Sequence, residues 1–322
     1  MILAFAAIVA AGIALPHALR LERVAPVAAI ALWLSSLALR ALGCALVVIY
    51  AVFYLPRTSA FDVLTHWCWD AFVPLLAGGH GLDGHTVGDV AVLVPALLLT
   101  VSLAWVSLGI ARASRMARRL VERDSLGHGP QGSLIVGGPD VELAVAGLAR
   151  PRIVVSAGAL ARLDDDELAA ALDHERAHIA RRHRHLMLLA TCFRATGRLV
   201  PGGSRALREL AFHLERDADR WALGRRHDRL ALASVIAKAG SSAQSGGNVA
   251  LAGLGQSGVR QRVVQLLEDE PTRPRSPAAA AVSGLAIAMV AGTLLLAAVV
   301  PAAAVAGVEH DAHRTHHGHH CH

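Results

Sequence analysis

Four stretches of this chain, 1–19, 27–54, 90–110 and 278–300, run for about twenty residues or more with a single charge, Arg40, among them. A helix of roughly 20 apolar residues at 1.5 Å rise spans a hydrocarbon core of about 30 Å, so each stretch is long enough to cross a bilayer. The apolar residues, 54% of the chain against 17% charged, fall in these blocks rather than in short periodic stripes. That pattern predicts a polytopic membrane protein with one soluble portion, and the competing reading is buried helices of a soluble protein.

The first block lacks the positive n-region of a cleaved signal peptide, since Arg20 and Arg23 follow it, and reads as a retained helix. Basic residues then alternate between loops as the cytoplasmic excess of Lys and Arg requires. Arg20 and Arg23 lie in the first loop, only Arg57 in the second, Arg112, Arg115, Arg118, Arg119 and Arg123 after the third block, and only Arg314 in the tail. Four crossings of a plasma membrane are expected, with both termini outside and the segment from about 111 to 276 in the cytoplasm. The net charge of +6 is explained by these juxtamembrane arginines and anionic lipid, and no direct nucleic-acid partner is expected. Arg40 must snorkel, pair or face a bundle interior. Cys68 and Cys321 would both lie outside, where a disulfide is permitted; no cysteine pair has metal-ligand spacing.

Between the third and fourth blocks the chain changes character. "VELAVAGL" (141–148) and "RIVVS" (152–156) read as two strands with a tight connection. "LDDDELAAALDHERAHIARRHRHLMLL" (163–189) reads as one helix capped by Asp164, Asp165 and Asp166. After the breaker "GRLVPGGSRA", a second helix is expected from about 205 to 224. A loop rich in small residues beyond Gly240 and a short helix in "VRQRVVQLLEDEP" complete the segment.

The chemistry sits in the first of these helices. His174 and His178, at i and i+4, present their rings from one face, and zinc accepts two such imidazoles with a carboxylate. Glu175, offset by about 100° around the helix, can reach a metal-bound water without ligating the ion. In "HLERDADRWAL" (213–223), Glu215 is the expected third ligand, and Asp219, one turn later, the acceptor that fixes the tautomer of a ligand histidine. His183, His185 and His213 read as solvated or interfacial rather than as ligands. The ligand set implies one catalytic Zn2+ and a water whose proton Glu175 takes and delivers to a leaving amine. The protein or peptide substrate would lie extended on a strand edge near 141–146. No residue for stabilising the tetrahedral intermediate is evident.

"RPRIVVSAGALARLDDDELAAALDHERAHIARRH" followed by "HLERDADRWAL" resembles the membrane zinc peptidases of the BlaR/MecR type, the antirepressors of β-lactam sensing. The resemblance extends to three crossings before the peptidase and one after. It implies a mainly α integral membrane protein, with a cytoplasmic α+β zinc metallopeptidase (a minimal gluzincin) at 111–276. Around it would lie three transmembrane helices in 1–110, a fourth in 277–301 and an outside tail, 302–322. It further implies His174, His178 and Glu215 as zinc ligands, Glu175 as base and Asp219 as support. The β-lactam receptors carry a penicillin-binding domain with an S-x-x-K serine after the last crossing. Here the only lysine, Lys238, stands in "SVIAK", so sensing by that chemistry is not expected.

In place of that sensor stands the tail "EHDAHRTHHGHHCH", in which His313, His316, His317, His319 and His320 form a candidate metal site. A solvated tail with adventitious affinity is the alternative. The function expected is a signalling endopeptidase that cleaves a cytoplasmic transcriptional repressor or itself. Its alternatives are a quality-control protease like the HtpX heat-shock membrane proteases and an inactive metal-responsive receptor.

Overall fold

The computed structural model describes residues 2–53, 97, 100–109, 111, 112, 115, 125–148, 150–244, 258–268, 280–282 and 284–292. The stretch 56–89, Cys68, Cys321 and the tail histidines lie outside them, as do residues 245–257 of the loop expected beyond Gly240, whose first four residues are instead helical. Two apolar helices open the chain, α1 (Ile2–Ala18) and α2 (Pro26–Phe53). By length and composition, one helix among the described residues, within α2 at Pro26–Val48, is sufficient to cross a membrane. The other apolar blocks appear as the shorter helical stretches Val9–Ala18, Thr100–Gly109 and Ala280–Gly292.

Among the described residues, four short strands follow: β1 (Ser125–His128), β2 (Leu134–Val136), β3 (Leu143–Ala146) and β4 (Arg152–Ser156). They form one sheet in the order β1-β2-β4-β3, with β2 and β4 parallel and both outer pairs antiparallel. The expected strand pair is β3 and β4, joined through Gly147 at φ +82, where a Cβ would stand 2.6 Å from the Arg150 carbonyl oxygen. The sequence reading did not include β1 or β2. Ser156 ends β4 and caps α3 (Ala157–Arg162) by accepting from Ala159 N at 3.0 Å.

α4 (Asp165–Ala180) begins as its sequence indicates: Asp164 accepts from Glu167 N at 2.8 Å, and Glu167 accepts from Asp164 N at 3.0 Å. The expectation of one helix through 189 is corrected here. α4 stops at Ala180, Arg182 adopts φ +54, and α5 (His183–Thr196) leaves in a new direction. Breaking the helix places His183 inside the fold rather than on a continuing outer face. α6 (Gly203–Leu223), α7 (Arg229–Gln244) and α8 (Val259–Glu268) complete the labelled elements.

The apolar helices and α5 and α6 share a core. Ala29, Leu32, Trp33 and Leu37 of α2 pack with Ala190 of α5 and with Ala206, Leu210 and Leu214 of α6; Ala286 of the last apolar stretch joins them. Gly197, at the end of α5, permits the closest approach, because a Cβ there would meet Arg40 Cβ at 2.8 Å and Ala41 N at 3.0 Å. Arg40 is buried and paired: it donates to His17 Nε2 at 2.8 Å, to the Ser36 carbonyl at 3.1 Å and to the Pro201 carbonyl at 3.3 Å. A second core lies between the sheet, α3, α4 and α7, and a third where α4, α6, α7 and α8 meet.

Candidate metal centre

α4 and α6 lie against each other and supply the donors. Four residues make a little over one turn of α4, so the rings of His174 and His178 emerge together. Their Nε2 atoms are 3.2 Å apart. Across from them Glu215 presents Oε2 at 3.4 Å from His174 Nε2 and Oε1 at 3.5 Å from His178 Nε2. Ligands about 2.1 Å from a tetrahedral ion stand about 3.4 Å from one another. The triangle His174, His178, Glu215 therefore has the dimensions and the nitrogen and oxygen donors that zinc accepts.

Behind the triangle lies a buried charge network. Asp219 Oδ1 is 3.0 Å from His174 Nδ1, although off the line of a straight hydrogen bond. The same carboxylate accepts two bonds from Arg262 of α8, Nε to Oδ2 at 2.8 Å and Nη2 to Oδ1 at 2.7 Å. Arg262 Nη1 donates to Glu215 Oε2 at 2.9 Å. Burial opposes ionisation of both carboxylates, but Arg262 and the histidines outweigh it: Glu215 falls to about 2 and Asp219 lies well below the usual range. Burial also disfavours a charged His174, yet the adjacent Asp219 and Glu215 carboxylates raise it to about 10. The metal-free cluster thus holds a proton where an ion would place positive charge.

His178 is the opposite case: burial lowers it to about 3 despite the Glu215 charge, so it is neutral at its second position in the triangle. Glu175, half-buried beside the triangle, is raised to about 7 by burial and by the Glu215 charge, against the pull of His174, Arg262 and Arg184. A carboxyl near neutrality can both take and return a proton at working pH.

Three features escaped the sequence reading. Arg262 is the largest, and a signal for it existed. Val259, Val263 and Leu266 mark the packed face of α8, so a charge at 262 sits within that apolar stripe and requires a buried partner. His183 and His213, read as solvated or interfacial, are buried, at 3% and 1% exposure. His213 is lowered to about 3 by burial and by Arg216, which donates to its Nδ1 at 3.1 Å. His185 is exposed.

No curated protein matches the chain. Residues 111–210 match peptidase family M48, a stretch that includes β1 through α5, the helix bearing His174, Glu175 and His178, and the start of α6, but ends before Glu215 and Asp219. That match, with a triangle of donors that could hold a metal ion, supports a metallopeptidase: a hydrolase acting on proteins or peptides.

Proposed function

We propose that the chain is a membrane-embedded zinc endopeptidase of signalling type, which cleaves a cytoplasmic repressor or itself. The observation that carries the chemistry is the triangle of 3.2, 3.4 and 3.5 Å between His174, His178 and Glu215. These three residues would hold zinc, which when bound polarises a carbonyl and makes its water acidic. Glu175 takes the proton from the attacking water and returns it to the leaving amine. Arg262 and Asp219 hold Glu215 and His174 in place so that no ligand has to reorganise during turnover. β3 is an edge strand beside α4. An extended substrate adds to it by backbone pairing, which positions a peptide without demanding its sequence.

Membrane embedding is supported by the apolar helix within α2 and by the three further apolar blocks of the sequence. The alternation of arginines supports the orientation, with 111–276 cytoplasmic and both termini outside. A second reading, an HtpX-like quality-control protease, is equally compatible with a match that names family M48 and a peptidase.

The test is zinc content and self-cleavage of the detergent-purified protein beside Glu175→Gln and Glu215→Ala. One zinc and processing in the wild type, zinc without processing in Glu175→Gln and loss of zinc in Glu215→Ala are expected. A wild type that binds no zinc ends the peptidase reading. In cells, Glu175→Gln changes transcription of a neighbouring operon if the role is signalling, and leaves damaged membrane proteins to accumulate if it is quality control.

A further inference from the structure

One pair of buried polar residues takes no part in the chemistry above. His183 and Asp217 are 3% and 5% exposed, and their side chains meet at 3.2 Å, Nε2 to Oδ2. His183 Nδ1 lies 3.0 Å from Nδ1 of His178, the two rings edge-on at 80°. This contact exists because Arg182, at φ +54, turns the chain between α4 and α5 and returns His183 beneath the end of α4. Arg181, at the same break, stands 3.6 Å from Asp217 Oδ2.

We propose that His183, held by Asp217, is a positioning residue that fixes the tautomer and ring orientation of His178. The logic is one of donors and acceptors. A carboxylate oxygen accepts, so in the 3.2 Å contact with Asp217 Oδ2 the hydrogen sits on His183 Nε2, and Nδ1 faces His178 as the acceptor. A bond between two Nδ1 atoms needs one hydrogen, which His178 must then supply. With its proton on Nδ1, His178 has a bare Nε2, and that is the atom facing His174 and Glu215. The chain Asp217, His183, His178 thus presents a lone pair to the metal position before any ion arrives. It supports one ligand histidine from the α4–α5 break, as Asp219 and Arg262 support the other from α6 and α8. The inference rests on His178 being a metal ligand, as in the proposed zinc site.

The experiment is zinc affinity of the full-length, detergent-purified protein, read by competition with a chromophoric chelator. Each variant is made in a Glu175→Gln background so that self-cleavage does not intervene. His183→Phe keeps a ring but removes the acceptor; His183→Gln keeps an acceptor and a donor on one side chain. Affinity is expected to fall about 10- to 100-fold in His183→Phe, the range for lost outer-shell partners. His183→Gln is expected to retain most of it, and the Co2+-substituted absorption spectrum should shift in the Phe variant alone. Unchanged affinity in His183→Phe overturns the inference and leaves the peptidase reading intact. Equal losses in Phe and Gln variants overturn it in favour of packing, and absence of zinc in the parent removes both readings.

Discussion

Asp219 takes two nitrogens of Arg262 and stands 3.0 Å from a third, on His174, so a single buried carboxylate joins α4, α6 and α8. Removing Arg262 would leave two acids facing each other in a dry interior. Arg262→Ala is expected to destabilise the fold by about 3–5 kcal/mol, seen as a lower unfolding midpoint in detergent. Arg262→Lys should recover little, because a point ammonium cannot make the two parallel bonds of a guanidinium. His174, Glu175, His178, Glu215 and Asp219 were legible in the sequence because their spacing repeats helical geometry. His183 and Asp217 were not, since their partners lie on other elements and only burial reveals that a polar group there must be satisfied; Arg262 left a trace, a charge within the apolar stripe of α8.

At the scale of elements, an ion pair joins α7 to the start of α4 beside their shared cores. Lys238 donates to both oxygens of Glu167, at 2.7 and 2.6 Å, and Ser234 donates to Oε1 at 2.6 Å. Burial opposes the Glu167 charge, but these donors and the Asp164 amide hold its carboxyl below the ordinary 4.5. A carboxyl depressed in the folded state contributes stability above its unfolded pKa and loses it as pH falls through the folded one. Lys238→Met should therefore cost about 1–3 kcal/mol at pH 7 and much less in acid, so the two unfolding curves converge below pH 4.5. Helix starts were readable because caps are local, as at Asp164. The break at Arg182 was not, because a left-handed arginine has no local signature and exists here to bury His183. β1 and β2 are too short, at four and three residues, to show a period.

For the molecule as a whole, the boundary between apolar helices and peptidase drawn from hydropathy does not coincide with the core. Leu210 and Leu214 of α6 are covered by α2, so a fragment of residues 111–276 would expose them. Such a fragment is expected to aggregate or to elute with bound detergent on size-exclusion chromatography. Gly197→Leu tests the same contact by one substitution. It should push the α5–α6 turn off Arg40 and cost about 1–3 kcal/mol, the range for overpacking, measured by thermal unfolding.

α6 packs on α2 from Ala206 to Leu214 and carries Glu215 at the next position and Asp219 one turn beyond. In mechanical terms it is a beam bedded on α2, with the buried Arg40 at its near end and Glu215 about 18 Å further along. A tilt of roughly 3° at that end would move Glu215 by about 1 Å, a misplacement large enough to cost on the order of 100-fold in rate. The metal triangle is therefore only as still as α2 is.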